Sequence, residues 1–258
     1  MDNGSLLNFN DPTFNNDVSF DFSDAYIALN YRLRTGIFTI DPGLTLHYYK
    51  TKNTQLGTSF ERNISDVRPN LRINLQFKKS ESLRLTYRKN TQFTDINNLA
   101  EGFVFSNYNS IFQGNRELEA AVVNNYNLNY RSINQFTFTN IFANANYSKR
   151  SNSIQSRANI NGIDAIRTST NSNFPRETYS LSGRIDKRFK NFKLNFSTRF
   201  NFSDFTNEVN NQIRNSKSLN QNYSASIETN FRDKPNFEIG YKYNINDYNN
   251  GGIENQFI

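Results

Sequence analysis

The 258-residue chain contains no cysteine, no tryptophan, one methionine and one histidine, His47. Without cysteine, disulfide bonds and thiolate metal sites are excluded. With one histidine, a metal site built from several histidines is excluded within one copy of the chain. No glycine-rich phosphate loop and no nucleophile elbow occurs either. We therefore expect a protein that is not an enzyme and that has no catalytic residues, no metal site and no cofactor.

Long apolar runs are also missing. No run approaches the ~20 residues of a membrane-spanning helix, and the mean hydropathy is −0.76. The net charge is +7, but lysine and arginine are scattered along the chain, so we expect no nucleic-acid partner. No signal peptide is visible, because the start, Met1-Asp2-Asn3-Gly4, is acidic and polar and no apolar segment follows it.

Aromatic residues and asparagine are abundant. The chain has 24 Phe, 14 Tyr and 45 Asn. Such a high asparagine content is unfavourable for a helical protein, since asparagine prefers turns and loops. The many aromatic residues argue against disorder, which is typical of chains with few of them.

Apolar and polar residues alternate with a period of two in segment after segment. At 71–78 the apolar Leu71, Ile73, Leu75 and Phe77 are each followed by a polar residue, and 192–197 and 237–246 repeat the pattern. Successive side chains of a strand point to opposite faces, so each segment has one apolar and one polar face. The sequence therefore predicts an all-β protein.

The strands are expected to form hairpins, in which short turns alternate with long polar connections. Pro42-Gly43 suggests a bulge or a kink within a strand. In the predicted strand 135–149 the parity of the apolar residues changes, and a bulge near Thr139-Asn140 would account for that change. The long connections are predicted at about 50–68, 91–121, 150–176 and 206–217. The strands are predicted at about 24–34, 37–49, 69–78, 83–90, 122–131, 135–149, 177–187, 192–205, 218–231 and 237–248.

This pattern is typical of a transmembrane β-barrel, with short turns on the periplasmic side and long loops outside. We predict an antiparallel up-and-down meander of about ten strands that forms part of a barrel wall. Residues 1–258 are expected to be one partial barrel domain. Both chain ends would lie on the outer side, so we expect an internal section of a longer protein, a fragment without signal peptide or plug domain.

The stretch 83–130 resembles the barrel domain of Bacteroidetes-type TonB-dependent receptors and their outer-membrane relatives. The family shows a strand that ends in Tyr-Ser/Arg-Arg/Lys, followed by a P-x-I-x-x-L-x-P element. A G-N-P-x-L-x-P-E element and an aromatic strand come next. The family prolines fall here at Thr94, Arg116 and Ala120, and the family glutamate at Ala121. The matching residues are Tyr87-Arg88-Lys89, Ile96, Leu99, Gly114-Asn115, Leu118 and the strand Asn125 to Tyr130.

The resemblance implies a barrel of about 22 strands with a plugged lumen, located in the cell outer membrane and surrounded by its lipid. Such a receptor binds a scarce ligand at its extracellular loops and imports it. The TonB complex would act through a plug domain that is not in this chain. Whether the ligand is a small molecule, a peptide or a glycan stays open.

Three groups of residues are candidates for the site. Aromatic residues of the loop region could stack against a ligand, or could pack the loop itself: Phe103, Phe105, Tyr108 and Phe112. Lumen-facing basic residues could guide an anionic ligand, or could belong to a polar wall with acidic partners: Arg72, Arg84, Arg88, Lys193 and Arg199. The family-motif turn could contact a ligand, or could be a tight turn: Gly114, Asn115 and Leu118.

The alternative to a transporter is a soluble or surface-attached β-sheet binding protein, or an adhesin, without transport. It would cover its apolar face with a second layer. The barrel prediction instead leaves apolar side chains exposed on one face of a single sheet, namely Leu75, Leu194, Phe196 and Ile239.

Overall fold

A computed structural model describes residues 17–107, 110–161, 164–250 and 253–257. Within them the chain forms one sheet of 16 strands and a single turn of helix, α1 (Ile96–Leu99), whose first turn is capped by Asp95. The all-β prediction is confirmed. No helix in the described part of the chain is long and apolar enough to cross a membrane.

Ten strands are long and six are short. They are β1 (Val18–Asn30), β2 (Leu33–Thr35), β3 (Phe38–Gln55), β4 (Thr58–Lys78), β5 (Glu81–Gln92), β6 (Phe103–Asn107), β7 (Ser110–Gln113), β8 (Ala121–Asn134), β9 (Thr139–Ser151), β10 (Ile154–Asn161), β11 (Asp164–Asn171), β12 (Arg176–Arg188), β13 (Phe192–Val209), β14 (Gln212–Thr229), β15 (Glu238–Asn250) and β16 (Ile253–Phe257).

The main path of the sheet is antiparallel and runs β1-β3-β4-β5-β8-β9-β12-β13-β14-β15-β16. A side branch leaves β13 through parallel pairing with β10 and continues through β11 and β7 to β6. Among the described residues, β1 pairs only with β3 and β16 only with β15, so the sheet is open.

One face of this sheet is apolar and exposed. Leu194 is 38% exposed, Phe196 48% and Ile239 74%, while Leu75 is partly exposed. A two-layer sandwich would bury these side chains, so the exposure contradicts that arrangement. The few buried apolar side chains lie along β3 and β8 and in the 93–120 connection, and not between two layers: Tyr49, Leu99, Ala100, Leu118, Ala121 and Val123.

Four tyrosines form a stacked ladder across the apolar face of β5, β8, β9 and β12. Their ring centroids are 4.8, 5.8 and 4.6 Å apart in the order Tyr87, Tyr126, Tyr147, Tyr179. The residues are direct cross-strand partners, the positions at which aromatic pairs stabilise a sheet. The Tyr87 hydroxyl donates to Asn124 and the Tyr179 hydroxyl to Glu177. Rings on the apolar face with polar tips are typical of a membrane interface.

Two of the predicted long loops are wrong. At 50–68, β3 and β4 continue to a two-residue turn at Leu56-Gly57, and at 206–217, β13 and β14 continue to Asn210-Asn211. All four turn residues have positive φ, between 49° and 69°, as a tight type I′ hairpin turn requires. The sequence misleads here because both faces are polar, so alternation disappears while backbone pairing continues.

The two predicted bulges are also wrong. The register of β3 with β4 runs unbroken past Pro42-Gly43. A Cβ on Gly43 would lie 2.5 Å from the side-chain amide groups of both Asn30 and Asn70. Glycine therefore leaves the space that these two side chains occupy. The change of parity near 139–140 has another cause, because residues 135–138 form the turn between β8 and β9 and the strand begins at Thr139.

Candidate functional site

The polar face of the sheet surrounds a groove of about 840 Å³. Residues from seven strands, β5, β8, β9 and β12 to β15, line it, so this face is concave. Asparagine and serine are frequent in the lining. We call this space the basic groove because its charged lining residues are all cations: Arg84, Arg131, Arg184, Arg199 and Lys242.

The predicted basic residues all lie on the polar face. Cross-strand partners share a face. Arg72 of β4 is the partner of Thr86 on β5, and Arg84 and Arg88 lie two residues to either side of Thr86, on the same face of that strand. It then links Arg84 through Asn129, Asn144 and Ser182 to Arg199 of β13. Lys193 is six residues from Arg199 on the same strand and therefore also faces this side.

The cations of this face differ in whether an acid neutralises them. Lys193 pairs with Glu228 at 3.1 Å, and Arg184 pairs with Asp186 at 2.8 Å. Among the described residues, no acidic oxygen lies within 4.0 Å of the remaining ones, and the groove is therefore positively charged. The unpaired cations that line the groove are Arg84, Arg131, Arg199 and Lys242, and Arg72 and Arg88 line a neighbouring space that also contains Asp41.

A second space, the loop cavity, lies between the wall and the two long connections. It has a volume of about 310 Å³, and its lining includes Phe112 of β7, Phe93, Arg150 of β9, Asp95, Gln92 and Gln155. Parallel pairing of β7 with β11 places Phe112 beside Arg167 of β11, and β11 pairs on its other side with β10, the strand that contains Gln155. An aromatic ring, a cation and amide groups around one cavity can hold a polar ligand by stacking and hydrogen bonds.

Two of the other aromatic residues predicted for the site, Phe103 and Phe105, are not among those that line the loop cavity. Phe103 and Phe105 are on β6, which pairs with the far edge of β7, and Phe105 is 54% exposed. Tyr108 lies outside the described residues. The structure therefore brings Phe112 to the loop cavity and places Phe103 and Phe105 on the neighbouring strand.

The family-motif turn fastens the 93–120 connection to itself. The amide of Gly114 donates to the carbonyl of Ala100 at 2.8 Å, and that of Asn115 to the carbonyl of Asn98 at 2.7 Å. Leu118 is 6% exposed and belongs to the small apolar core. The turn thus fixes the path of the segment that supplies Phe112.

Sequence reasoning missed the residues that tie this connection to the wall. The buried Gln55 side chain donates to the Leu99 carbonyl and accepts from the Glu101 amide, both at 2.9 Å. Arg62 donates to the Leu118 carbonyl at 3.0 Å. Arg116 pairs with Glu101 at 2.7 Å. No signal in the sequence marks Gln55 or Arg62, because both lie in a polar stretch that reads as a loop.

The candidate residues predicted from the sequence also lack Arg131 and Arg150. Arg131 follows Tyr130, which faces outward, so parity alone places Arg131 in the groove. Arg150 lies in a stretch without alternation, and only the folded position of β7 and β10 puts it at the loop cavity.

Solved structures with a similar fold are named as transporters and receptors. The FrpB iron transporter from Neisseria meningitidis matches with a TM-score of 0.52 and 11% identity, over 90% of this chain and 38% of that one. The copper transporter OprC matches with a TM-score of 0.53 and 12% identity, over 90% and 40%. The Serratia marcescens hemophore receptor HasR, solved with its hemophore HasA and heme, has a TM-score of 0.56 and 12% identity, over 89% and 45%.

The chain therefore spans less than half the length of these structures, and at this identity the likeness shows the fold alone. A search of curated protein sequences gives no match. The family model described as "Outer membrane protein beta-barrel family" matches residues 2–258. The chain thus belongs to the outer membrane protein β-barrel family, and its location is the outer membrane.

Proposed function

We propose that this chain is a section of the transmembrane wall of a TonB-dependent receptor, which binds a scarce ligand outside the cell and imports it. The observation that carries the proposal is the height of the exposed apolar band. On β13 the outward positions run from Phe192 to Phe202, ten residue steps, and are apolar except for Thr198. They are exposed as far as Phe196 and partly exposed beyond it. At about 3.4 Å per step and a tilt of about 45°, these steps span about 24 Å, close to the ~25 Å apolar band of outer-membrane barrels.

The two spaces of the polar side have successive roles in this proposal. The loop cavity receives the ligand at the extracellular side through Phe112 and Arg150, with Phe103, Phe105 and Tyr108 as further contacts of the loop region. The basic groove then lies on the route through the lumen. Its unpaired cations favour an anionic ligand, because each opposes the passage of a cation and attracts an anion. The TonB complex acts through a plug domain outside this chain.

Site-directed labelling tests the membrane arrangement. These 258 residues contain no cysteine, so an introduced thiol is unique among them, and the unsubstituted protein serves as the blank. We expect a membrane-impermeant maleimide to label Asn211→Cys on intact cells, since that turn lies on the side of the long connections. The matched control, Asn191→Cys in the turn between β12 and β13, should react only after permeabilisation. Equal labelling of both turns on intact cells would contradict the proposed topology.

Uptake into cells that express the full-length protein tests import. Suitable probes are ferric citrate, Cu²⁺ and hemin, because the structural neighbours are named as an iron transporter, a copper transporter and a hemophore receptor solved with heme. We expect energy-dependent uptake that a proton uncoupler abolishes. For an anionic probe, the double variant Arg84→Gln with Arg199→Gln should reduce uptake more than Lys193→Gln, because Glu228 already neutralises Lys193. Uptake that persists with the uncoupler would contradict TonB-dependent import.

A further inference from the structure

The wall of the sheet contains a seam between β4 and β5. Their backbone pairing stops at Asn70 and Arg88, although β4 continues to pair with β3 as far as Thr58 and β5 with β8 as far as Gln92. Among the described residues, the two strands therefore part on the side of the long connections. Each has backbone groups there that its ladder no longer satisfies, and such groups need other partners.

Two cationic side chains, one from each strand, bridge the seam by donating hydrogen bonds to backbone carbonyls of the opposite strand. Arg68 of β4 donates to the carbonyl of Thr91 on β5 at 3.2 Å, and Lys89 of β5 donates to the carbonyl of Val67 on β4 at 2.9 Å. Side-chain donors thus replace the missing backbone donors on both sides. The closure depends on two flexible side chains and not on a ladder.

The carboxylate of Asp66 holds both cations in place. It accepts from the Arg68 Nε at 3.0 Å and from the Lys89 Nζ at 2.8 Å, and the Thr91 hydroxyl also donates to it. Its side chain is only 9% exposed. Without this carboxylate, two like charges would face each other with no counter-charge, which favours separation of the strands.

The seam leads directly into the loop cavity. Thr91 is followed by Gln92 and Phe93, which line that cavity with Phe112. Phe93 also packs edge-on against Tyr49 of β3, with ring centroids 4.8 Å apart. The position of β5 at the seam therefore sets the position of one cavity wall.

We propose that Asp66 is a positioning residue for the loop cavity: it closes the seam between β4 and β5 and so holds Gln92 and Phe93 at the ligand. This deepens the proposed function, since it concerns the same site. Opening the seam would widen the cavity without breaking the rest of the sheet.

Spin-label distances in the full-length protein test the seam itself. We place one pair of labels across it, at Leu46 and Leu181, and a reference pair on one side of it, at Leu181 and Ile239. All three residues are exposed on the apolar face. In Asp66→Asn we expect an added, longer distance across the seam and an unchanged reference distance. Asp66→Glu should restore the native distance.

A fluorescence reporter tests the cavity. These 258 residues contain no tryptophan, so the difference in emission between the full-length protein with and without Phe112→Trp reports on the cavity. The emission of the introduced tryptophan should shift to longer wavelength when Asp66→Asn is added. Asp186→Asn is the matched control, because Asp186 is a similarly covered carboxylate, 12% exposed, that pairs with Arg184 on the same face away from the seam. It should change neither signal.

Three results would overturn the proposal. They are native distances in Asp66→Asn, an equal effect of Asp186→Asn, and a change in both label pairs, which indicates general unfolding. None of these measurements needs a ligand or an energised membrane. Failure of the seam is therefore distinguishable from failure of the proposed transport function, which the labelling and uptake experiments test.

Discussion

Replacing Phe196 with arginine should destabilise the folded, membrane-inserted protein by about 2–4 kcal/mol, the range for a basic residue at the midplane of a barrel's lipid-facing surface. Phe196 lies near the middle of the apolar band on β13, between Phe192 and Phe202, and is 48% exposed. The guanidinium would enter hydrocarbon without a partner, which is why the cost is large. Equilibrium unfolding in lipid vesicles measures it.

Position along and across the strand provides two controls. Phe202→Arg, at the end of the band, should cost only about 0–1 kcal/mol because the side chain reaches the interface. Ser197→Arg adds the same charge one residue away but on the polar face, where the groove already contains arginine. A similar cost for Phe196→Arg and Ser197→Arg would contradict the assignment of the two faces.

The sequence predicts the strands where the two faces differ in polarity. Alternation such as that of 192–197 arises because one face of the strand is apolar and exposed, whereas the other face is polar and lines the groove. Beyond the apolar band, at Asn53 or Asn215, both faces are polar, and nothing in a short window distinguishes strand from loop. The tight turns at Leu56-Gly57 and Asn210-Asn211 were missed for this reason.

The sequence predicts only part of the candidate site, because it shows which face of a strand a side chain occupies but not which residue of the next strand it meets. Parity places Arg84 and Arg199 on the polar face, but whether a cation is neutralised depends on register. Lys193 meets Glu228 of the next strand, and only the pairing of β13 with β14 specifies that contact. The loop cavity depends on parallel pairing of β7 with β11, which joins segments over 50 residues apart.

Gly114→Ala should destabilise the 93–120 connection by about 1–3 kcal/mol, the usual cost of inserting atoms into a packed site. A Cβ at this position would lie 2.4 Å from the Ala100 carbonyl oxygen and 2.6 Å from that of Asn98. Both are backbone atoms, so no side-chain rotation relieves the clash. The hydrogen bonds that fasten the turn to these carbonyls would lengthen, and the path of Phe112 would change.

Gly183→Ala is the matched control, since its Cβ would meet only the Thr198 methyl group, at an ordinary 3.8 Å. Amide hydrogen exchange distinguishes a local from a global effect, because residues 96–118 should lose protection in Gly114→Ala while β12 and β13 keep theirs. Equal protection in both variants would show that the connection tolerates the extra atom. Loss confined to the connection would instead explain why glycine stands at this position: the turn leaves no room for a side chain, and the loop cavity depends on the turn.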